Sequence, residues 1–152
     1  MLLHAASRPQ KAWPEERWIA LGQRLAEDGL VCVLPGGTPQ ERATAARLAA
    51  AIPGATALPE MSLTDIAALL AHARLVAGVD TGLTHLAVAL GRPTVGIYCA
   101  TRPELTGLHG EASVNLGGPG QPPTVDAVAT ALGHAPAQEI QASPADNLAP
   151  EE

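Results

Sequence analysis

Short, continuous apolar runs alternate with longer amphipathic stretches along most of the chain. The runs predict β-strands at Leu2–Ala6, Leu30–Leu34, Ala55–Leu58, Leu75–Val79, Thr94–Tyr98 and Ala112–Leu116. Their lack of polar alternation is typical of strands buried on both faces of a parallel sheet. The stretches between them have helical spacing and predict helices over Pro14–Asp28, Pro39–Ile52, Ser62–His72, Leu83–Leu90 and Thr124–Leu132. This order predicts an α/β fold with a doubly wound, Rossmann-like parallel sheet.

Composition favours one globular domain over residues 1–134. The chain has 152 residues, of which 47% are hydrophobic, enough to bury a core. Residues 135–152 are rich in Pro, Ala, Gln, Asp and Glu without periodicity, and we expect a disordered tail there. No apolar run is long enough to span a membrane, and residues 1–6 lack the basic start of a signal peptide. We therefore expect a cytoplasmic protein.

Charge and motif content exclude several classes of function. The net charge is −6 without a Lys/Arg cluster, which argues against a nucleic-acid partner. The sequence contains no Gly-x-Gly-x-x-Gly dinucleotide motif, no P-loop and no Gly-x-Ser-x-Gly nucleophile elbow. Cys32 and Cys99 lie in apolar runs without metal-ligand spacing to a histidine, so we expect buried free thiols and no metal.

Polar side chains follow each of the first five predicted strands. In an open α/β sheet, ligands bind outside the carboxyl ends of the strands, so these residues mark the candidate site. In strand order they are Ser7, Arg8 and Lys11; Gly36, Gly37, Thr38 and Glu41; Glu60, Met61 and Ser62; Asp80, Thr81, Gly82, Thr84 and His85; and Thr101, Arg102 and Glu104.

The most informative of these groups is the run Val79–His85. An apolar strand ends at Asp80, and Gly82 lets the backbone turn and approach a ligand closely. Thr81 to Thr84 would open a helix, whose free N–H groups suit a diphosphate, and His85 lies in its first turn. A purely structural interpretation also fits: Asp80 or Thr81 caps the helix and His85 is an ordinary surface histidine.

Three further positions each allow a structural and a functional interpretation. Lys11 is either a solvated loop lysine or a cation for a phosphate. Thr38, Pro39 and Glu41 fit a capping box, which would still leave one carboxylate oxygen of Glu41 for a ribose hydroxyl. Met61 either packs in the core or places its thioether against an adenine ring.

Four blocks of sequence resemble glycosyltransferase family 9, the ADP-heptose:lipopolysaccharide heptosyltransferases, and within it the heptosyltransferase I group. The blocks are His-Ala-Ala-Ser from His4 with Lys-Ala-Trp-Pro-Glu-Glu from Lys11, Leu-Pro-Gly-Gly from Leu34, Leu-Pro-Glu-Met-Ser-Leu from Leu58 and Val-Asp-Thr-Gly-Leu-Thr-His-Leu-Ala from Val79. The resemblance extends from Leu2 to Leu132. It implies the carboxyl-terminal half of a two-domain GT-B fold, the half that binds the nucleotide-sugar donor.

The resemblance also implies roles for individual residues. Lys11 resembles the lysine near the donor phosphates and sugar, Glu41 the acid that holds the nucleoside, and Met61 the residue packed on adenine. Asp80 resembles the acid that contacts the heptose hydroxyls. Ser7, Thr81, Gly82, Thr84 and His85 complete the expected donor-binding set. One departure is Ala6-Ser7, where related sequences carry two hydroxyl residues, which puts one phosphate contact in doubt.

The reaction implied by the resemblance is inverting transfer of heptose from ADP-heptose to a Kdo hydroxyl of the lipopolysaccharide inner core, without metal or other cofactor. Lys11 and the helix N-terminus at Thr81–Thr84 would stabilise the departing ADP. The resemblance implies that the base and the lipid A–Kdo acceptor site belong to an amino-terminal domain that matches nothing in this sequence. It also implies that the full-length enzyme works at the cytoplasmic face of the inner membrane, with a peripheral contact to it. The alternative is a stand-alone nucleotide-sugar-binding module without transferase activity.

Overall fold

The computed structural model describes residues 1–134, so the tail expected at 135–152 lies outside the described residues. The strands are β1 (Leu2–Leu3), β2 (Val33–Leu34), β3 (Thr56–Ala57), β4 (Val76–Val79), β5 (Thr94–Tyr98) and β6 (Ser113–Gly117). The helices are α1 (Glu15–Glu27), α2 (Pro39–Ala51), α3 (Leu63–Ala71), α4 (Gly82–Ala89), α5 (Pro103–Thr106) and α6 (Val125–His134), with a 3-10 turn at Pro9–Lys11. No helix in residues 1–134 has the length and apolarity that a membrane crossing requires.

All ladders between these strands are parallel, as predicted. Three of these ladders join strands in the order β1-β4-β5-β6, and a separate ladder joins β2 to β3. Because β2 lies next to β1, the spatial order is 3-2-1-4-5-6. That order brings the carboxyl ends of β1 and β4, and the loops that follow them, side by side at the middle of the sheet.

Helices cover both faces of the sheet. On one face α1, α2 and α6 bury a core that includes Trp18, Leu48 and Val128 against Leu2. On the other face α3 and α4 pack Ile66, Leu70 and Ala87 against Leu3 and Val76. Adjacent residues of β1 thus point to opposite cores, which is the burial on both faces that continuous apolar runs indicate. The fold class is therefore the predicted doubly wound α/β sheet.

Two helices near the candidate site, α2 and α3, begin with side-chain caps. Thr38 Oγ1 accepts from the N–H of Glu41 at 3.1 Å, and Pro39 occupies the first turn, so the predicted capping box at α2 is confirmed. Ser62 Oγ accepts from the N–H of Asp65 at 3.1 Å and begins α3. The Asp65 carboxylate accepts from the Ser62 hydroxyl, so this second cap is not a reciprocal box.

Several predicted boundaries were too wide. β1 ends at Leu3 instead of Ala6, because the chain leaves the ladder there to form the loop that carries Ser7 and Lys11. Pro103–Thr106 forms the short helix α5, which is absent from the predicted elements. Two residues in the sequence indicate this helix: Pro103 in its first turn and Gly107 directly after its last residue. Cys32 and Cys99 are both free and lie just outside β2 and β5; Cys32 is buried as predicted, but the prediction of burial was wrong for Cys99, which is half-buried.

Candidate functional site

The carboxylate of Asp80 is the centre of a polar cluster at the end of β4. Lys11 Nζ lies 3.3 Å from Asp80 Oδ2. The hydroxyl of Thr101, directly beyond β5, donates to the same oxygen at 2.7 Å, and that of Thr106 in α5 lies 3.4 Å from it. His85 Nε2 lies 3.7 Å from the other oxygen, Oδ1. The cluster thus unites residues from four separate segments around one carboxylate that is 9% exposed.

These contacts keep Asp80 ionised. Burial alone would raise the pKa of Asp80. The hydrogen bonds from Thr101 and Lys11 and the charges of Lys11 and His85 outweigh it, so the pKa lies below the ordinary value of 3.8. Beneath the cluster, burial and the charge of Asp80 raise the pKa of Tyr98 to about 12. Asp80 therefore acts as a fixed negative charge, and Tyr98 as a neutral phenol.

The first turn of α4 presents backbone donors beside this carboxylate. Thr81 is the N-cap, but its hydroxyl makes no capping hydrogen bond, and Asp80 is engaged by Lys11 and Thr101 instead. The purely structural interpretation of Asp80 and Thr81 as caps is therefore not supported. The N–H groups of Thr84 and His85 bond to the carbonyl of Thr81. The earlier N–H groups, those of Gly82 and Leu83, have no intrahelical acceptor by the geometry of a helix start.

Thr84 and His85 differ in their access to a ligand. The Thr84 side chain is 1% exposed and its hydroxyl donates to the carbonyl of Val79 at 2.7 Å, so it fixes α4 onto β4 instead of reaching the sheet edge. His85 is 46% exposed and stands beside Asp80 Oδ1. Of the two, only the His85 side chain is available at the edge.

A cavity of about 350 Å³ opens beside the same turn. It brings together four residues of the expected donor-binding set: Ser7, Glu41, Met61 and Thr81. Apolar side chains supply much of the remaining wall, among them Leu3, Leu63, Ile66 and Leu83. An apolar cavity with few polar groups is typical of small-molecule sites. Thr81 belongs both to this cavity and to the turn that follows Asp80, so it joins the two halves of the site.

The two carboxylate oxygens of Glu41 differ in their hydrogen bonding. Oε2 accepts from the N–H of Gly37 at 2.7 Å and of Thr38 at 3.2 Å, which completes the capping box. Oε1 takes part in no hydrogen bond within residues 1–134, as expected from the sequence. The carbonyl of Glu41 accepts from Nε2 of His4, a residue 6% exposed, at 3.2 Å. Burial lowers the pKa of His4, so a neutral imidazole supports the first turn of α2.

The other predicted residues lie at the cavity in different ways. Met61 is half-buried: it packs on the core under α3 and α4 and also lines the cavity, so its packing role is confirmed and its contact with an adenine ring stays a prediction. Ser7 is exposed at the cavity rim. Two contacts to Asp80 lie outside the donor-binding set that the resemblance implies. The sequence marked Thr101 as one of the polar residues after β5 but gave it no role, whereas Thr106 belongs to the helix that the sequence did not predict.

A family model decides where the chain belongs. The model of Glycosyltransferase family 9 (heptosyltransferase) matches residues 1–132. The chain belongs to glycosyltransferase family 9. The fold, the cavity and the Asp80 cluster all lie within the matched residues.

The sequence of one relative supports the assignment of the chain to this family. Lipopolysaccharide heptosyltransferase 1 of Pseudomonas aeruginosa is 44% identical over 117 residues, which are 77% of this chain and 33% of that protein. The chain thus spans about a third of the length of this relative.

Solved structures of the family share the fold. Heptosyltransferase WaaC of E. coli with ADP has a TM-score of 0.80 and 42% identity, covering 85% of this chain and 41% of that one. The same enzyme with ADP-2-deoxy-2-fluoro heptose has a TM-score of 0.77 and 40% identity, covering 85% and 40%. Both matches confirm the Rossmann-like half of a GT-B structure.

Proposed function

We propose that this chain binds ADP-heptose, or a closely similar nucleotide-sugar, as the donor half of a heptosyltransferase that acts on the lipopolysaccharide inner core. The observation that carries the proposal is the meeting of the apolar cavity and the Asp80 cluster at Thr81. One side of the site suits a flat base with a ribose, and the other suits a polyhydroxylated, anionic group. Membership of family 9 favours ADP-heptose as the ligand that combines them.

The site gives each part of such a donor a partner. The adenine would lie in the cavity against Met61, and a ribose hydroxyl would donate to Glu41 Oε1. The diphosphate would accept from the N–H groups of Gly82 and Leu83, where the dipole of α4 favours negative charge. The heptose hydroxyls would then reach Asp80 Oδ1 and His85.

Lys11 resolves an electrostatic conflict in this arrangement. A carboxylate close to a diphosphate would repel it, but the ammonium of Lys11 lies 3.3 Å from Asp80 Oδ2 and compensates its charge. The ammonium has further N–H groups that can point to the phosphate. As the bond from the anomeric carbon to the phosphate oxygen breaks, Lys11 and the α4 N-terminus would stabilise the charge on departing ADP.

Asp80 is poorly suited to be the base that deprotonates the acceptor. A general base works best with a pKa near the working pH, whereas hydrogen bonds and charges hold the pKa of Asp80 below 3.8. We propose that the base and the acceptor site belong to a part of the enzyme that this chain does not match. On its own the chain would then bind the donor without transferring heptose.

Isothermal titration of the chain with ADP-heptose and with ADP tests the donor proposal. We expect tighter binding of ADP-heptose, and in Asp80→Ala an affinity for ADP-heptose that falls by about 10-fold or more, towards that of ADP. Asp126→Ala is the matched control, because Asp126 is a 78% exposed carboxylate that pairs with Arg24 on α1. Equal affinities for both ligands in the wild-type chain would contradict the assignment of Asp80 to the sugar.

Release of ADP in the presence of a Kdo–lipid A acceptor tests the second part. We expect no release above the rate without acceptor. Acceptor-dependent turnover by the chain alone would show that the base lies within it and would refute the binding-only role.

A further inference from the structure

Thr101 makes the shortest contact to the Asp80 carboxylate. Its hydroxyl donates to Oδ2 at 2.7 Å, and this is its one hydrogen bond within residues 1–134. Thr106, by contrast, lies 3.4 Å both from the same oxygen and from the carbonyl of Arg102, so its single proton has two weaker acceptors. Of the two threonine hydroxyls, that of Thr101 alone has Asp80 as its single acceptor within residues 1–134.

The donors around Asp80 are distributed unequally between its two oxygens. Lys11, Thr101 and Thr106 all approach Oδ2, whereas among residues 1–134 Oδ1 has only the His85 ring at 3.7 Å, beyond hydrogen-bond distance. A carboxylate oxygen has about two lone-pair sites, so Oδ2 has little capacity left for a further donor. A ligand hydroxyl must therefore use Oδ1.

We propose that Thr101 is a positioning residue for sugar recognition: by holding Oδ2, it turns Oδ1 of Asp80 towards the sugar hydroxyls. This inference rests on the proposed donor function and adds a residue outside the expected donor-binding set. Thr101 lies on the loop after β5, whereas Asp80 directly follows β4. The hydrogen bond thus also fixes the β5 loop to the strand end that bears the sugar contact.

Loss of the Thr101 hydroxyl should have two linked effects. The groups that face the carboxylate are Lys11, His85, Thr101, Thr106 and, from below, the neutral Tyr98. Without the Thr101 hydroxyl, Oδ2 loses its shortest hydrogen bond, so the carboxylate becomes less acidic and is held less firmly in its orientation. Binding of the sugar should suffer more than binding of ADP, which lacks the group that Asp80 contacts.

The test uses the full chain with Thr101→Val, which keeps the side-chain shape, and Thr101→Ser, which keeps the hydroxyl. Thr106→Val is the matched control, and Thr101→Ala replaces Thr101→Val if thermal unfolding shows that the latter does not fold. Carboxyl ¹³C NMR follows the pKa of Asp80 without ligand, and titration calorimetry gives the affinities for ADP-heptose and ADP. In Thr101→Val we expect a higher Asp80 pKa and about a 10-fold loss of ADP-heptose affinity, with less than about a 3-fold loss for ADP. Thr101→Ser should restore both values, and Thr106→Val should change them less.

The outcomes separate the inference from the function on which it rests. If the wild-type chain prefers ADP-heptose to ADP but Thr101→Val leaves that preference or the Asp80 pKa unchanged, the positioning role is refuted and the donor function stands. If the wild-type chain shows no preference for ADP-heptose over ADP, the donor function is refuted, and the inference that rests on it is refuted too. A preference lost in Thr101→Val and regained in Thr101→Ser supports both.

Discussion

The hydroxyl of Thr84 donates to the carbonyl of Val79 at 2.7 Å, across the turn that joins β4 to α4. The bond is buried, and it connects the last residue of the strand to the first turn of the helix. The orientation of the α4 N-terminus relative to Asp80 therefore depends on a side chain that no ligand needs to touch.

Thr84→Val tests this structural role. Valine fills the same space but cannot donate, so we expect the free energy of unfolding to fall by about 1 kcal/mol. Urea denaturation measures the change, and Thr84→Ser, which keeps the hydroxyl, should lose less. A Thr84→Val chain as stable as the wild type, but with weakened ADP binding, would show that the hydroxyl faces the ligand instead.

Gly78→Ala should be more damaging, because the same threonine occupies the space that a side chain would need. A Cβ at Gly78 would collide with Thr84 Oγ1 and lie 3.0 Å from Leu3 Cβ. We expect a loss of about 1–3 kcal/mol as α4 is forced away from the sheet, measured by urea denaturation. Gly133→Ala is the control, since a Cβ there meets nothing within 4 Å in the part of the chain that the structure describes, and it should be neutral or slightly stabilising. Equal stabilities of the two variants would contradict the close packing at Gly78.

Glu41 substitutions should separate capping from binding. Glu41→Ala removes the side-chain half of the capping box and should cost about 1 kcal/mol of stability. Glu41→Gln can still accept from Gly37 and Thr38 through its amide oxygen, so it should retain most of that stability. Its other group is an NH₂ that cannot accept from a ribose hydroxyl, and we expect a several-fold weaker affinity for ADP. Urea denaturation measures the capping contribution, and titration calorimetry measures the affinity for ADP. An unchanged ADP affinity in Glu41→Gln would show that Glu41 caps α2 and does not bind the ribose.

Asp80 should make the stability of the fold sensitive to acid. Because its pKa is lower in the folded chain than its ordinary value of 3.8, its ionised form stabilises the fold. That contribution is complete above pH 3.8 and is lost as the pH falls through the folded pKa. We therefore expect the stability difference between the wild-type chain and Asp80→Asn to shrink as the pH is lowered below about 4 in urea denaturation series. A difference that stays constant would show that the carboxylate contacts do not stabilise the ionised form.

The sequence predicted most of the elements but not the contacts between them. Continuous apolar runs were enough to find six parallel strands, and local cap chemistry was enough to find the start of α2 at Thr38. The pairing of Lys11 with Asp80 depends on β1 and β4 being neighbours, which no local pattern encodes. Thr84 lay in the most informative motif, yet only the packing of α4 on β4 shows that its side chain points inward.

The two groups of paired strands, β2-β3 and β1-β4-β5-β6, are followed by different residues of the candidate site. Glu41 and Met61 follow β2 and β3, whereas Lys11, Asp80 and Thr101 follow β1, β4 and β5. Within residues 1–134 no ladder joins the two groups of strands. If the proposed donor function holds, we therefore expect substitutions around Glu41 and Met61 to change the preference for the base more than the preference for the sugar. The loops after one group of strands could then be altered for a new base while the loops after the other group keep the sugar contact.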